Sequence, residues 1–206
     1  MQIDFLRFTP DRGFLKRLGF EDAVVFADAG VSKETNHGYV RGEIIRPESV
    51  EDLRKKLRKV GKKSVVGVES SSISINREAV TRRRVDIILD SVVRRVDYVT
   101  VKLAAEKDVA IEICLSKFLL TRGARRMRLL RETEDLFRII KKFDTPFVIT
   151  SGASNIYEMR SARQLKDFFS FLGAEVEKAE RHAAILFRKY ADANFIMNGL
   201  EIEERP

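Results

Sequence analysis

Cysteine occurs once in the 206 residues, at Cys114, tryptophan not at all, and histidine only at His37 and His182. A single cysteine excludes an intramolecular disulfide and any thiol-rich metal site. Its place in the apolar run 109–115 marks it as a buried, inert thiol. Two histidines are too few for a binuclear hydrolase centre, which needs several deprotonated nitrogen and oxygen ligands close together. His37 lies in a glycine-bounded loop and His182 between Arg181 and two alanines. Neither has a ligand partner at helical or strand spacing, so both are read as structural or surface residues. No apolar stretch approaches the length of a membrane span, and the opening Met1-Gln-Ile-Asp-Phe-Leu-Arg lacks the basic-then-apolar order of a signal peptide. A cytoplasmic chain with no membrane partner is expected. Also missing are an RNA-recognition motif, a zinc finger and a Gly-rich phosphate loop, so nothing points to sequence-specific base readout.

What is present is charge. Charged residues make up 34% of the chain and hydrophobic ones 44%, the balance of a folded protein. The net charge of +8 points towards polyanionic partners. The excess is segregated. Residues 1–50 are nearly balanced, and the stretch from Glu175 to Arg205 is richer in acids than bases. Three basic blocks lie between: Arg54 to Lys63, Arg77 to Arg95, and Lys117 through Arg122, Arg125, Arg126, Arg128 and Arg131 to Lys142. Such segregation is what a phosphate-binding face produces. The lysine block at 54–63 is read as a solvated helix face.

Short apolar runs alternate with helical patterns. Helices are expected over 11–18, from Pro47 to about Val60, and over 76–83, 102–107, 121–143, 161–171 and 175–193. Strands are expected over 24–27, 64–69, 85–89, 98–100, 109–113 and 147–150, with one more inside the Gly-containing loop from Asp28 to Arg46. Ser161 is read as an N-cap and Gly173 as the residue just past its helix. Six or seven strands alternating with helices predict an α/β fold: a parallel sheet closed into an irregular TIM-like barrel, or left partly open. No composition break divides the chain, so residues 1–206 are expected to form a single barrel-like domain.

In parallel β/α folds ligands bind at the C-terminal strand edge. Lys102 follows the expected strand 98–100, and Ser151 follows 147–150. The backbone N–H groups of Ser151 and Gly152 are candidates for a phosphate. Arg160 and Arg163 flank the next helix N-terminus, and Arg77 holds a similar place after the strand near 65–69. On the long helix Arg126 falls at the edge of the face shared by Leu129, Thr133, Leu136, Phe137 and Ile140. A guanidinium there needs an anionic or carbonyl partner, from a bound ligand or from the fold itself. With Lys117, Arg122 and Arg125 of the third block, these are the candidate contacts to a nucleic-acid backbone. Glu69, Asp86, Asp90 and Glu112 are the carboxylates available for a single magnesium ion; no metal site is assigned to them.

Val101-Lys-Leu-Ala-Ala-Glu with Val109-Ala-Ile-Glu-Ile, Arg126 before Leu129-Leu-Arg, Ile149-Thr-Ser-Gly-Ala, and Met159-Arg-Ser-Ala-Arg-Gln-Leu occur in this order within residues 64–190. The set resembles protein component 3 of archaeal ribonuclease P, relative of the eukaryotic 30-kilodalton subunit. The resemblance implies a β/α barrel related to the polymerase-and-histidinol-phosphatase hydrolases. It implies a protein subunit of an endonuclease that removes the 5′ leader of precursor tRNA. The ribonuclease P RNA would carry the chemistry with magnesium, and this chain would bind no cofactor and hold no catalytic residue. Expected partners are that RNA, precursor tRNA, protein component 2 and other small subunits. The resemblance also favours RNA as the partner of Arg126. Two other classes remain open: a stand-alone metal-dependent phosphoesterase of the same fold, and a pure assembly scaffold.

Overall fold

A computed structural model describes residues 1–28, 39–61, 63–192, 194–197 and 200–201. Seven strands run parallel and pair in chain order: β1 (Ile3–Leu6), β2 (Asp22–Asp28), β3 (Val40–Ile45), β4 (Val65–Val68), β5 (Ile87–Ile88), β6 (Ala110–Cys114) and β7 (Phe147–Thr150). The last strand returns to stand beside the first. No ladder joins β1 to β7. The Arg7 N–H instead donates to the Ala153 carbonyl at 2.8 Å, and the Ser151 N–H and hydroxyl donate to the Asp4 carboxylate at 2.7 and 2.6 Å. The result is a nearly closed, TIM-like barrel of seven strands.

Eight α-helices are described: α1 (Arg12–Arg17), α2 (Val50–Leu57), α3 (Ile73–Val80), α4 (Tyr98–Lys107), α5 (Ser116–Leu119), α6 (Gly123–Phe143), α7 (Ala162–Phe171) and α8 (Val176–Ala191). A small antiparallel pair, β8 (Phe195–Met197) with β9 (Leu200–Glu201), follows.

Alternation along the strands sorts side chains into two cores. Phe5, Phe26, Ile44, Ile87, Leu89 and Val148 fill the barrel, joined by Leu186 and Phe187 of α8. Leu6, Val25, Ile45, Val66, Ile88 and Ile111 face the helices outside. Two glycines make the inner core possible. A Cβ at Gly42 would lie 2.4 Å from the Phe26 ring, and one at Gly67 would lie 2.6 Å from Leu89. At the N-terminal end, α8 lies against β7 and β1. There Asp86, just before β5, accepts from Lys189 Nζ, the Tyr190 hydroxyl and the Val66 N–H at 2.7, 2.7 and 2.8 Å. His182 on α8 has a structural partner: its Nδ1 accepts from the Phe147 N–H at 3.2 Å. Burial lowers its pKa, which keeps that nitrogen free to accept. His37 lies outside the described residues.

The expected strand 98–100 is instead the first turn of α4. Its Val-Asp-Tyr-Val-Thr-Val sequence reads as β by propensity. Asp97, however, caps the helix, accepting from the Thr100 N–H at 3.0 Å, and this cap together with burial of Val101 and Ala104 decides the outcome. The strand count is restored by β1, which no expectation covered. Asp4 interrupts its apolar run, and the partner that neutralises that interruption lies 147 residues away.

Candidate nucleic-acid interface

The C-terminal mouth of the barrel is lined with charge, and that charge is internally matched. Glu112, on β6 and wholly buried, meets Arg7 at 2.5 Å. It also accepts from the Thr150 hydroxyl and the Asp90 N–H, both at 2.8 Å. Asp90, after β5, is held by Lys117 at 2.8 Å and Arg94 at 3.2 Å, and accepts from the Cys114 N–H at 2.9 Å. Burial alone would raise its pKa, but the two cations and the hydrogen bonds outweigh burial and leave it lowered. Glu69 pairs with Arg46 at 3.0 Å. Cys114 is buried here, and desolvation pushes its thiol up to about 12, which keeps it protonated and unreactive.

This arrangement does not fit the single-magnesium reading of Glu69, Asp86, Asp90 and Glu112. Asp86 lies at the opposite end of the barrel, tied to α8. The other three are already bridged by arginine or lysine. Among the described residues, no group of three or more His, Cys, Asp or Glu side chains is placed to hold a metal ion.

The candidate RNA contacts divide by their surroundings. Lys117 and Ser151 are buried, and each is engaged inside the fold: Lys117 by Asp90, Ser151 by Asp4. The expectation that the Ser151 N–H stands free for a phosphate is therefore corrected. Burial also holds the Asp4 carboxyl up at about 6, despite the hydrogen bonds from Ser151 and Phe5 that oppose the shift. Gly152 next to it adopts φ +59°, and a Cβ there would meet the Cys114 Cβ at 2.5 Å, so the turn admits only glycine without strain. Arg77 on α3 is exposed but reaches back to Asp97, the cap of α4. Arg126 finds the carbonyl partner that its position demanded, donating from Nε to Thr121 O at 2.7 Å. The Arg160 Nη1 donates to the carbonyls of Tyr157 and Met159 at 2.9 and 2.7 Å.

Lys102, Arg122, Arg125 and Arg163 are exposed. Lys102 and Arg163 have only loose 3.8 Å pairs with Glu106 and Asp167. Arg122 is the N-cap residue of α6, and its side chain accepts no capping bond. Among the described residues Arg122, Arg125, Arg128 and Arg131 form no ion pair.

Arg125 and Arg128 border an open groove of about 890 Å³ between α6 and the segment 91–96. Arg94 and Arg95 come from its other wall, and Leu129 and Leu136 lie between. Arg128 was not among the candidates. Its signal was the i, i+3, i+7 spacing of Arg125, Arg128 and Glu132, which places them on one helical stripe. Helix α6 thus carries guanidinium groups without ion pairs along the border of its packed face, an arrangement suited to gripping phosphate oxygens.

A family model described as RNase P subunit p30 matches residues 31–189. The ribonuclease P protein component 3 of Archaeoglobus fulgidus is 48% identical, over 98% of this chain and 96% of that protein. The component 3 of Methanococcoides burtonii is 30% identical over 69% of this chain and 63% of that protein. Among solved structures, a chain in a cryo-EM structure of archaeal ribonuclease P with mature tRNA superimposes with a TM-score of 0.83. That chain is 26% identical, and the match covers 99% of both. No described helix is long and apolar enough to cross a membrane.

Proposed function

Because the chain belongs to the RNase P subunit p30 family and is a protein subunit of ribonuclease P, we propose that its own part in the endonuclease is noncatalytic. It screens phosphate repulsion and holds the ribonuclease P RNA in its active shape, while that RNA, with magnesium, removes the 5′ leader of precursor tRNA. The observation that carries this reading is the matched mouth. Arg7 on Glu112, Lys117 and Arg94 on Asp90, and Arg46 on Glu69 occupy the carboxylates that a metal-dependent phosphoesterase would keep for its ions.

RNA backbone is gripped by the exposed set, Arg122, Arg125 and Arg128 on α6 with Lys102 and Arg163, and by the half-buried Arg160. Arg77 and Arg126 hold helix ends and contribute to the field. Lys117 and Ser151 act only through Asp90 and Asp4, as positioning residues. The chain works as one barrel domain in the cytoplasm, paired with protein component 2 and alongside the other small subunits.

The test is cleavage of precursor tRNA at limiting magnesium by this protein alone, by the catalytic RNA alone, and by both with component 2. Cleavage that requires the RNA and rises with the two proteins is the expected result. Chelator-sensitive cleavage by the purified protein alone would make it a nuclease in its own right.

A further inference from the structure

Three of the four tyrosines are held by the fold. Tyr39 is buried with its hydroxyl on the Pro10 carbonyl, Tyr190 donates to Asp86, and Tyr98 packs edge-on against Phe143 at 4.7 Å. Tyr157 is different. Its residue is 84% exposed, beside Ile156 at 49%, on the single helical turn Ile156–Glu158 that follows β7 at the barrel mouth.

The turn beneath it is braced. Asn155 Oδ1 accepts from the N–H groups of Tyr157 and Glu158 at 3.0 and 3.3 Å. The Glu158 carboxylate accepts from the Ser154 N–H and the Asn155 Nδ2 at 2.9 and 2.8 Å. Arg160 closes the far side through its two bonds to the Tyr157 and Met159 carbonyls. A ring raised on such a turn needs little further ordering when something flat lies against it, so its stacking free energy is largely retained.

The surroundings narrow what that flat group is. Ser154, Asn155 and Glu158 flank Ile156 and Tyr157 along the turn, so the exposed apolar pair has polar neighbours on both sides in sequence. It lacks the surrounding shell that a protein hot spot needs to exclude water. Arg160 sets a guanidinium under the same turn, and Arg163 is exposed three residues on. An aromatic face next to cations suits a base whose phosphate is close by, and only an unpaired base offers its face.

We propose that Tyr157 is a stacking platform for one unpaired base of single-stranded RNA. This rests on the RNA-binding reading given above, and it adds a contact to the base itself, tolerant of sequence.

The chain has no tryptophan, so Tyr157→Trp places a sole indole at the site. Titration with a short oligoadenylate is expected to quench its fluorescence, whereas duplex RNA and adenosine monophosphate alone leave it nearly unchanged. With labelled oligoadenylate, Tyr157→Ala is expected to bind roughly tenfold more weakly and Tyr157→Phe within about twofold of the parent. Both should keep the parent's thermal midpoint. RNA bound without quenching, together with a neutral Tyr157→Ala, overturns the platform and leaves RNA binding intact. Failure of the parent protein to bind any RNA overturns the underlying reading instead. Equal quenching by adenosine monophosphate would make this a free-nucleotide site. Loss of component 2 pairing with RNA affinity unchanged in Tyr157→Ala would make it a protein contact. Either of these two results overturns the proposal.

Discussion

Lys117 and Arg122 are five residues apart, belong to the same basic run, and serve opposite ends. Lys117 is buried against Asp90, whereas Arg122 stands in solvent at the start of α6 with no ion pair among the described residues. The same contrast separates Arg7 and Arg94 in the mouth from Arg125 and Arg128 on the helix. Positive charge in this sequence is therefore two populations. One neutralises buried carboxylates and holds the barrel closed, and the other is left for phosphate. A count of lysines and arginines cannot separate them, because the difference lies in where the acids are buried.

The contrast is broken most forcefully from the mouth. Arg7→Met leaves Glu112 buried without its cation, and removal of one partner from a buried pair costs about 3–5 kcal/mol. Denaturant melts should show that loss, and an unchanged midpoint would mean that the pair tying the end of β1 to Glu112 on β6 does not stabilise the barrel mouth.

Asp4 gives the next largest effect, and its sign is specific. Its pKa of about 6 lies above the ordinary carboxyl value, so between about pH 4 and 6 the folded chain keeps a proton that the unfolded chain has released. Its contribution to stability is full below that window and is lost as pH rises through it. Asp4→Asn removes this dependence. The stability difference between the two proteins should change by up to about 3 kcal/mol across the window in urea melts taken at several pH values. Parallel pH profiles would contradict the assignment.

Smaller again is Asp97→Ala, which deletes the cap of α4 and the partner of Arg77. A loss of about 1 kcal/mol is expected in the same melts. Hydrogen-bonding by Arg77 also keeps the Asp97 carboxyl well below the usual range, so this stabilisation should survive moderate acid and fade only as pH falls far below neutrality. A wild-type melt with Asp97→Ala would assign Arg77 to RNA alone.

Which parts of this division were legible in the sequence follows from the range of the forces involved. The strand 147–150, the Ser161 cap and the helix ending at Phe171 are set by neighbouring residues and coincide with β7 and α7. The alternation of short apolar runs with helical ones was enough for a parallel β/α barrel. Asp97 was local too, but a β-branched run concealed the cap. The fate of individual cations was not local. Arg7 meets Glu112 across 105 residues and Ser151 meets Asp4 across 147, and no spacing rule reaches that far. Arg126 was the intermediate case. Its place on the packing face required a partner, and only the structure shows that partner to be the Thr121 carbonyl.

The most direct test of the division is the salt dependence of RNA binding by the parent protein and by a variant with Arg122, Arg125 and Arg128 all changed to alanine. Each phosphate contact contributes about 0.7–0.9 to the slope of log affinity against log salt. The account predicts a slope shallower by about two, weaker binding at every salt concentration, and an unchanged thermal midpoint, because these side chains stabilise nothing inside the fold. An unchanged slope would contradict it and would place the RNA elsewhere on the barrel.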